Sequence, residues 1–329
     1  MQPAIPMVEI RRGDRLESQH CGHAVICDAR GEIVAAWGDP ELVIWPRSSC
    51  KMLQALPLVE SGAADGLDDA RLALACASHQ GAAMHTEAVA GWLAEMELEE
   101  SDLRCGSHEP HDRAARDALI RAGHAPGQVH NNCSGKHTGF LALARRLGGG
   151  PEYIEIDHPV QRAVRATFEE LTQTEGLGHA IDGCSAPNFA TTLHGLARAM
   201  AAFATARPDG GVRAAAAARL VDAMARHPEL VAGEGRACTE LMRAAGGRAA
   251  FKTGAEGVYI AILPDLGLGV AVKIADGATR AAEAALAAVL VRLEVLERDD
   301  PAVRARLGAV LRNWRGREVG EIRAAAGLA

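Results

Sequence analysis

The sequence predicts an α+β fold: one antiparallel sheet from both chain ends, with a helical lobe inserted between them. Three observations carry this reading. Apolar runs rich in valine and isoleucine lie before residue 38 and recur between residues 251 and 274. Between them, alanine-rich segments place apolar residues at helical spacing. No flexible linker or internal repeat interrupts the 329 residues, which therefore read as one domain. Its sheet lobe is expected over about 1–45 and 245–329 and its helical lobe over about 46–244.

Residues 8–16 and 21–27 read as short strands. Asp28-Ala29-Arg30-Gly31 turns the chain, 32–37 returns as an antiparallel partner, and Gly38-Asp39-Pro40 ends the hairpin. A helix opens near Ser48, and Pro57 is expected to kink it or end it early. Residues 61–66 form a loop, and 71–77 a short helix ending at Ser78-His79-Gln80-Gly81. The pattern from 85 to 120 is helical apart from a break at 104–110. Gly148-Gly149-Gly150-Pro151 is a loop, 158–172 a helix and 183–187 a turn. Residues 191–206 and 211–226 are alanine-rich helices. Residues 251–263 and 268–274 read as a two-stranded hairpin, followed by a closing helix over 278–296. Terminal strands pairing into one sheet would leave a cleft beside the helices, a common place for a site.

Composition excludes several classes. A formal charge of -7 and the lack of a basic stripe argue against a nucleic-acid partner, and 3% aromatic residues leave little for base stacking. No apolar run spans a bilayer without charges, and residues 1–12 lack the pattern of a signal peptide. A cytoplasmic protein with no membrane partner is expected, its eight cysteines reduced.

The lysines narrow the chemistry. Of 35 basic residues only Lys51, Lys136, Lys252 and Lys273 are lysine. Arginine serves wherever a positive charge suffices, but it cannot lose its proton to become a base or neutral ligand. Three lysines sit in motif-like settings: Ser48-Ser49-Cys50-Lys51, Cys133-Ser134-Gly135-Lys136 and Lys252-Thr253-Gly254. Lys273, in an alternating run, reads as an outward strand residue. Ser48 and Lys51 are three apart and share a face of a helix, where a desolvated amine can take the serine proton. S-x-x-K opening a helix, with K-T-G starting a late strand, matches two parts of the signature of penicillin-recognising serine enzymes. Ser78-His79-Gln80 stands where that signature has its middle triplet; alone, Ser78 reads as a helix C-terminal hydroxyl. A helix start also offers free N–H groups for an oxyanion.

Cys133 and Cys184 lie beside polar, glycine-containing backbone. Two thiolates and a third donor are a plausible zinc set assembled by the fold; two buried free cysteines are the plainer reading. Cys105 with His108 and His111 is a rival cluster, read as structural.

Together, Ser48-Ser49-Cys50-Lys51, Cys76-Ala77-Ser78-His79, Asn131-Asn132-Cys133-Ser134-Gly135-Lys136-His137, Asp182-Gly183-Cys184-Ser185-Ala186-Pro187 and Lys252-Thr253-Gly254-Ala255-Glu256-Gly257 resemble the rhizobial-type (class 3) L-asparaginase family. The resemblance covers nearly the whole chain and implies a fold like that of serine beta-lactamases and glutaminases. It further implies two serine–lysine pairs, Ser48 with Lys51 and Ser78 with Lys252. Zinc held by Cys133, Lys136 and Cys184 is implied, with Arg47, His137, Asp182 and Glu256 as candidates for holding substrate. The implied reaction converts L-asparagine and water to L-aspartate and ammonia in a homodimeric enzyme. The three-motif match leaves a beta-lactam or D-alanyl peptide hydrolase as an alternative, and a non-catalytic metal- or ligand-binding protein as another.

Overall fold

The computed structural model describes residues 2–328. The chain divides into two compact units. One holds the residues up to Ser49, Thr191–Thr205, and those from Glu240 onward; the other holds Cys50–Ala190 and Ala206–Thr239.

The first unit is built on an eight-stranded sheet. Its strands are β1 (Ile5–Arg12), β2 (Arg15–Cys27), β3 (Ile33–Trp37), β4 (Ala250–Thr253), β5 (Val258–Leu263), β6 (Leu268–Ile274), β7 (Val310–Arg312) and β8 (Glu318–Ala324). The order is β7-β8-β1-β2-β6-β5-β4, and β3 pairs with β2 off that path. All pairings are antiparallel. Val8 faces Ala324 across β1 and β8, and Ile26 faces Val270 across β2 and β6, so both chain ends join one sheet, as expected. Every residue of β5 is buried, which requires cover on both faces. The helices Leu193–Thr205 and Thr279–Arg292 both pack on the central strands. A Cβ at Gly269 would fall 2.1 Å from Ala201 N and 2.3 Å from Ala197 O, so glycine is what lets the first of these helices lie directly on β6.

Two strand expectations need correction. The run 8–16 is not one strand: Gly13, at φ 53°, turns the chain, and Leu16 belongs to β2. The run 251–263 is two strands, because Glu256 (φ 59°) and Gly257 (φ 71°) adopt left-handed backbone between them. Lys252-Thr253-Gly254 therefore ends β4 rather than starting a strand.

The second unit is helical: α1 (Lys51–Glu60), α2 (Asp69–Ala75), α3 (Ala83–Glu95), α4 (Arg113–Ala122), α5 (Ser134–Leu147), α6 (Pro159–Thr172) and α7 (Val212–Arg226). α1 packs on α5, α6 and α7, and α2 packs on α5 and α7. Pro57 does not stop α1. Its ring costs one backbone hydrogen bond, but every residue from Lys51 to Leu58 is buried, and that burial carries the helix on to Glu60. Asp68 caps α2 by accepting the Arg71 N–H at 2.9 Å. The short strands His179–Ile181 and Pro187–Phe189 pair across the turn that carries Cys184. Among the described residues, no helix is long and apolar enough to cross a membrane.

Candidate active site

The N-terminus of α5 organises the helical unit's polar centre. Asn131 builds its entrance: Oδ1 accepts the Cys133 N–H at 2.8 Å, while Nδ2 donates to the carbonyls of Cys105 and Gly106 at 2.9 and 3.0 Å. Two glycines set its approach. A Cβ at Gly135 would stand 2.4 Å from Leu74 O, and one at Gly139 would touch Ala75 and Leu58. α5 thus presses against α1 and α2, and Lys136 and His137 become buried although both are polar.

Four titratable side chains meet there. Lys51, 1% exposed, donates through Nζ to Ala77 O, and the same Nζ lies 3.1 Å from Cys133 Sγ. Lys136 Nζ lies 3.1 Å from Cys184 Sγ and 5.2 Å from the centre of the Phe140 ring. The two sulfurs share a hydrogen bond. That bond, with burial, pushes the Cys133 thiol up to about 12. The same bond holds Cys184 well below the usual thiol range, and Lys136 and Lys51 add to the effect against the opposing pull of burial. Burial alone would lower Lys136, but the Cys184 and Cys133 sulfurs outweigh it and leave its ammonium raised. Cys184 is thus the more acidic of the two thiols, while Cys133 Sγ also donates to Asn132 Oδ1 at 3.1 Å. Asp182 heads the turn leading to Cys184: its N–H donates to Ala186 O and its Oδ1 accepts the Gly183 N–H at 2.7 Å.

Two wholly buried histidines flank this cluster. His79 Nδ1 accepts the Gly81 N–H at 3.1 Å, so Nε2 carries the proton and donates to Ser134 Oγ at 2.9 Å. Ser134 in turn donates to Val129 O at 3.0 Å, and the neutral network closes. His137 lies 2.9 Å from the Tyr153 hydroxyl through Nδ1. Burial lowers both imidazoles well below their usual value. Ser78, next to His79, is 7% exposed, and its N–H donates to Val231 O at 2.8 Å.

The sheet unit carries a second group. Arg47 and Ser48 lie in a 3-10 turn, Arg47–Cys50, that runs straight into α1, with Arg47 at φ 52°. Ser49 is fixed below them: its hydroxyl donates to Pro46 O at 2.7 Å. A Cβ at Gly254 would stand 2.6 Å from Pro46 O and 3.1 Å from Ser49 N. The Lys252-Thr253-Gly254 end of β4 therefore lies against the Ser48 turn, and only glycine fits there. Lys252 is wholly buried, its Nζ donating to Thr253 O at 2.8 Å. Lys273 departs from the outward reading. It is half-buried, its amine lowered by burial against the nearby Glu256 and Asp276, and it donates to the carbonyls of Glu256 at 2.5 Å and Ile274 at 2.7 Å. It thereby pins the left-handed turn at Glu256, whose side chain is accommodated because Gly277 has none: a Cβ there would fall 2.8 Å from Glu256 Oε2.

Within the helical unit the structure joins Lys51, Cys133, Lys136, Cys184 and His137; within the sheet unit it joins the Ser48 turn to the Lys252 strand. Sequence reasoning missed Tyr153, whose only signal was rarity: the chain has two tyrosines. It also missed Lys273 as the holder of the Glu256 turn, because a period-two run predicts a face and not a hydrogen bond.

The donor set can be tested against zinc. The two sulfurs perturb each other's titration, and Lys136 Nζ lies 3.1 Å from Cys184 Sγ, so Cys133, Cys184 and Lys136 fit a metal once both thiols and the amine are deprotonated. The rival cluster does not gather a set. Cys105 Sγ lies 3.6 Å from Gln128 O with its thiol pushed up to about 12 by burial, and His108 packs edge-on to His111. Among the described residues, no three His, Cys, Asp or Glu are placed to hold a metal.

The profile of the L-asparaginase II family matches residues 8–324. No protein of curated description matches the chain. Among solved structures, Mglu in its native form is 16% identical, with a TM-score of 0.46, over 85% of this chain and 66% of that one; the chain thus spans about two thirds of that protein. A beta-lactamase from Mycobacterium bovis is 14% identical, with a TM-score of 0.36, over 82% of this chain and 94% of that one. An octameric penicillin-binding protein homologue from Pyrococcus abyssi is 11% identical, with a TM-score of 0.36, over 95% of this chain and 80% of that one.

Proposed function

We propose, from the premise that the chain belongs to the L-asparaginase II family, that it hydrolyses L-asparagine to L-aspartate and ammonia. Membership makes it an asparaginase-type amidohydrolase with a small-molecule substrate. The finer reading is that serine–lysine pairs do the chemistry.

Ser48 attacks the side-chain amide carbon, and its proton passes to Lys51, three residues on along continuous helical backbone. Backbone N–H groups of the Ser48 turn and the start of α1 are assigned to the oxyanion. Collapse of the tetrahedral adduct breaks the C–N bond, and the nitrogen leaves as ammonia with a proton assigned to Ser78 and Lys252. Water then cleaves the Ser48 ester and releases aspartate. Arg47, His137, Asp182 and Glu256 hold the substrate. Cys133, Lys136 and Cys184 would hold zinc, which when bound supplies a fixed positive charge for placing the substrate. A homodimer in the cytoplasm is part of the same reading.

The single observation that carries the proposal is the depth of the lysines. Lys51 and Lys252 are at most 1% exposed in a chain that otherwise uses arginine for charge. A buried ammonium is costly, so a fold that keeps lysine in these places needs something that guanidinium cannot do. Ammonia release from L-asparagine, L-glutamine and a chromogenic beta-lactam, measured side by side, tests the assignment. Release from asparagine with no beta-lactam turnover is expected. Turnover of the beta-lactam alone would replace the proposal with the peptide-hydrolase reading.

A further inference from the structure

His137 is wholly buried in the helical unit, and its two ring nitrogens have different surroundings. Nδ1 lies 2.9 Å from the Tyr153 hydroxyl. That hydroxyl accepts the Arg104 N–H at 2.7 Å. A backbone N–H can only donate, and the phenol proton has no other acceptor among the described residues; were Nδ1 to donate, both that proton and Nε2 would be left unpaired, so the phenol donates to Nδ1. Nδ1 is then the acceptor, and the neutral imidazole carries its hydrogen on Nε2. Nε2 is buried and has no hydrogen-bond partner among the described residues.

The relay is anchored firmly. Arg104 is held by Glu152 at 2.9 Å and by the carbonyls of Ser101, Asp102 and Leu103. Tyr153 O accepts the Gln161 amide at 2.8 Å, and its ring packs edge-on to His137 with centres 5.4 Å apart. The imidazole lies in the field of Lys136, Cys133, Lys51 and Asp182, the groups of the candidate site. A buried donor without an acceptor is destabilising. Here that cost falls on one atom, beside the polar cluster, and a dedicated relay fixes which atom it is.

We propose that Tyr153 is a positioning residue that locks His137 as an Nε2–H donor, held ready for an anionic oxygen of an amino-acid substrate. The proposal rests on the amidohydrolase reading for the identity of that acceptor, but not for the lock itself. It assigns His137 one role and removes two others. A nitrogen that already carries a proton can neither accept one as a general base nor ligate a metal.

The test uses full-length protein labelled with ¹⁵N in histidine, with the His137 signals identified by their loss in His137→Gln. Nε2 of the wild type is expected to be protonated and Nδ1 bare. Tyr153→Phe is expected to abolish that preference and to raise KM for L-asparagine roughly tenfold, with kcat changed by less than about threefold. His137→Gln, whose amide nitrogen reaches toward Nε2, should retain more affinity than His137→Asn, whose amide lies nearer Nδ1. Nε2–H in the wild type, without asparagine turnover, supports the lock and overturns only the substrate assignment. A wild-type His137 protonated on Nδ1, which needs no variant to detect, overturns the proposal. So does a folded Tyr153→Phe protein with both the ring pattern and KM unchanged.

Discussion

The start of α5 and the turn between β4 and β5 both bury lysine, but they use it differently. At α5 the amines face sulfur: Lys51 meets Cys133 and Lys136 meets Cys184, each at 3.1 Å. At the turn they face backbone: Lys252 donates to Thr253 O, and Lys273 to the carbonyls of Glu256 and Ile274. In the first region charge states depend on each other, so one substitution alters several groups. In the second, a lysine holds a strained piece of chain in place, and its loss is felt as geometry. The difference separates the amines at α5, whose protons matter, from Lys273, whose position matters; Lys252 keeps the proton role proposed for it.

The largest effect should come from the serine–lysine unit. Ser48→Ala and Lys51→Met are each expected to lower kcat roughly 10⁴-fold, and the double variant little further, because members of one nucleophile–base unit do not act additively. Lys51→Arg and Lys252→Arg keep the charge and should still lose activity. Losses that multiply in the double variant, measured by steady-state ammonia release, would break the unit apart.

The next effect concerns the sulfur side of the comparison. Cys133→Ser and Cys184→Ser should each abolish binding of about one zinc per chain, read by elemental analysis after supplying the metal. Chelation should lower the Tm of the wild type and leave these variants unmoved, since a ligand that binds only the folded state stabilises it by mass action. A wild-type protein that takes up far less than one equivalent would return both cysteines to the role of buried thiols.

A smaller effect sharpens the view of the helical unit itself. His79 is closed into a neutral network by Gly81, Ser134 and Val129, and burial holds it well below the ordinary imidazole value. Near and below pH 6.5 the unfolded chain takes up a proton at this residue and the folded chain does not. Stability is therefore complete above that pH and falls as the pH drops toward the lowered folded value, by up to about 1.4 kcal/mol per pH unit. Denaturant titrations between pH 7 and pH 5 on wild type and His79→Gln should differ in this slope; equal slopes would remove His79 from the account.

Much of the fold was legible because burial and period agree. The sheet drawn from both chain ends follows from Val/Ile-rich runs, and the helices at 191–206 and 211–226 were found within two residues of their observed ends. What was not legible was decided by tertiary contact. α5 carries Gly135 and Gly139, which weaken its helical signal, yet both are needed for its approach to Leu74 and Ala75. Pro57 reads as a kink or an early end, and the early end is overridden by a buried helix face. In the candidate site, the serines, lysines and cysteines were visible as motif residues. The tyrosine relay and the Lys273 hydrogen bonds were not, because they join residues that no local pattern links.

Lys273→Met is the smallest expected change. It should leave kcat nearly intact and raise KM about threefold as the Glu256 turn loosens, with Tm lowered by a few degrees. A loss of kcat comparable to that of Lys51→Met would give Lys273 a part in the chemistry rather than in holding the turn.

The most direct measurement of the central claim is covalent. Enzyme mixed with isotopically labelled L-asparagine is quenched in acid within one turnover, digested and mapped by mass spectrometry. An aspartyl ester is expected on the peptide carrying Ser48, absent from Ser48→Ala. Label on the peptide carrying Ser78, or turnover with no covalent label at all, would contradict that claim.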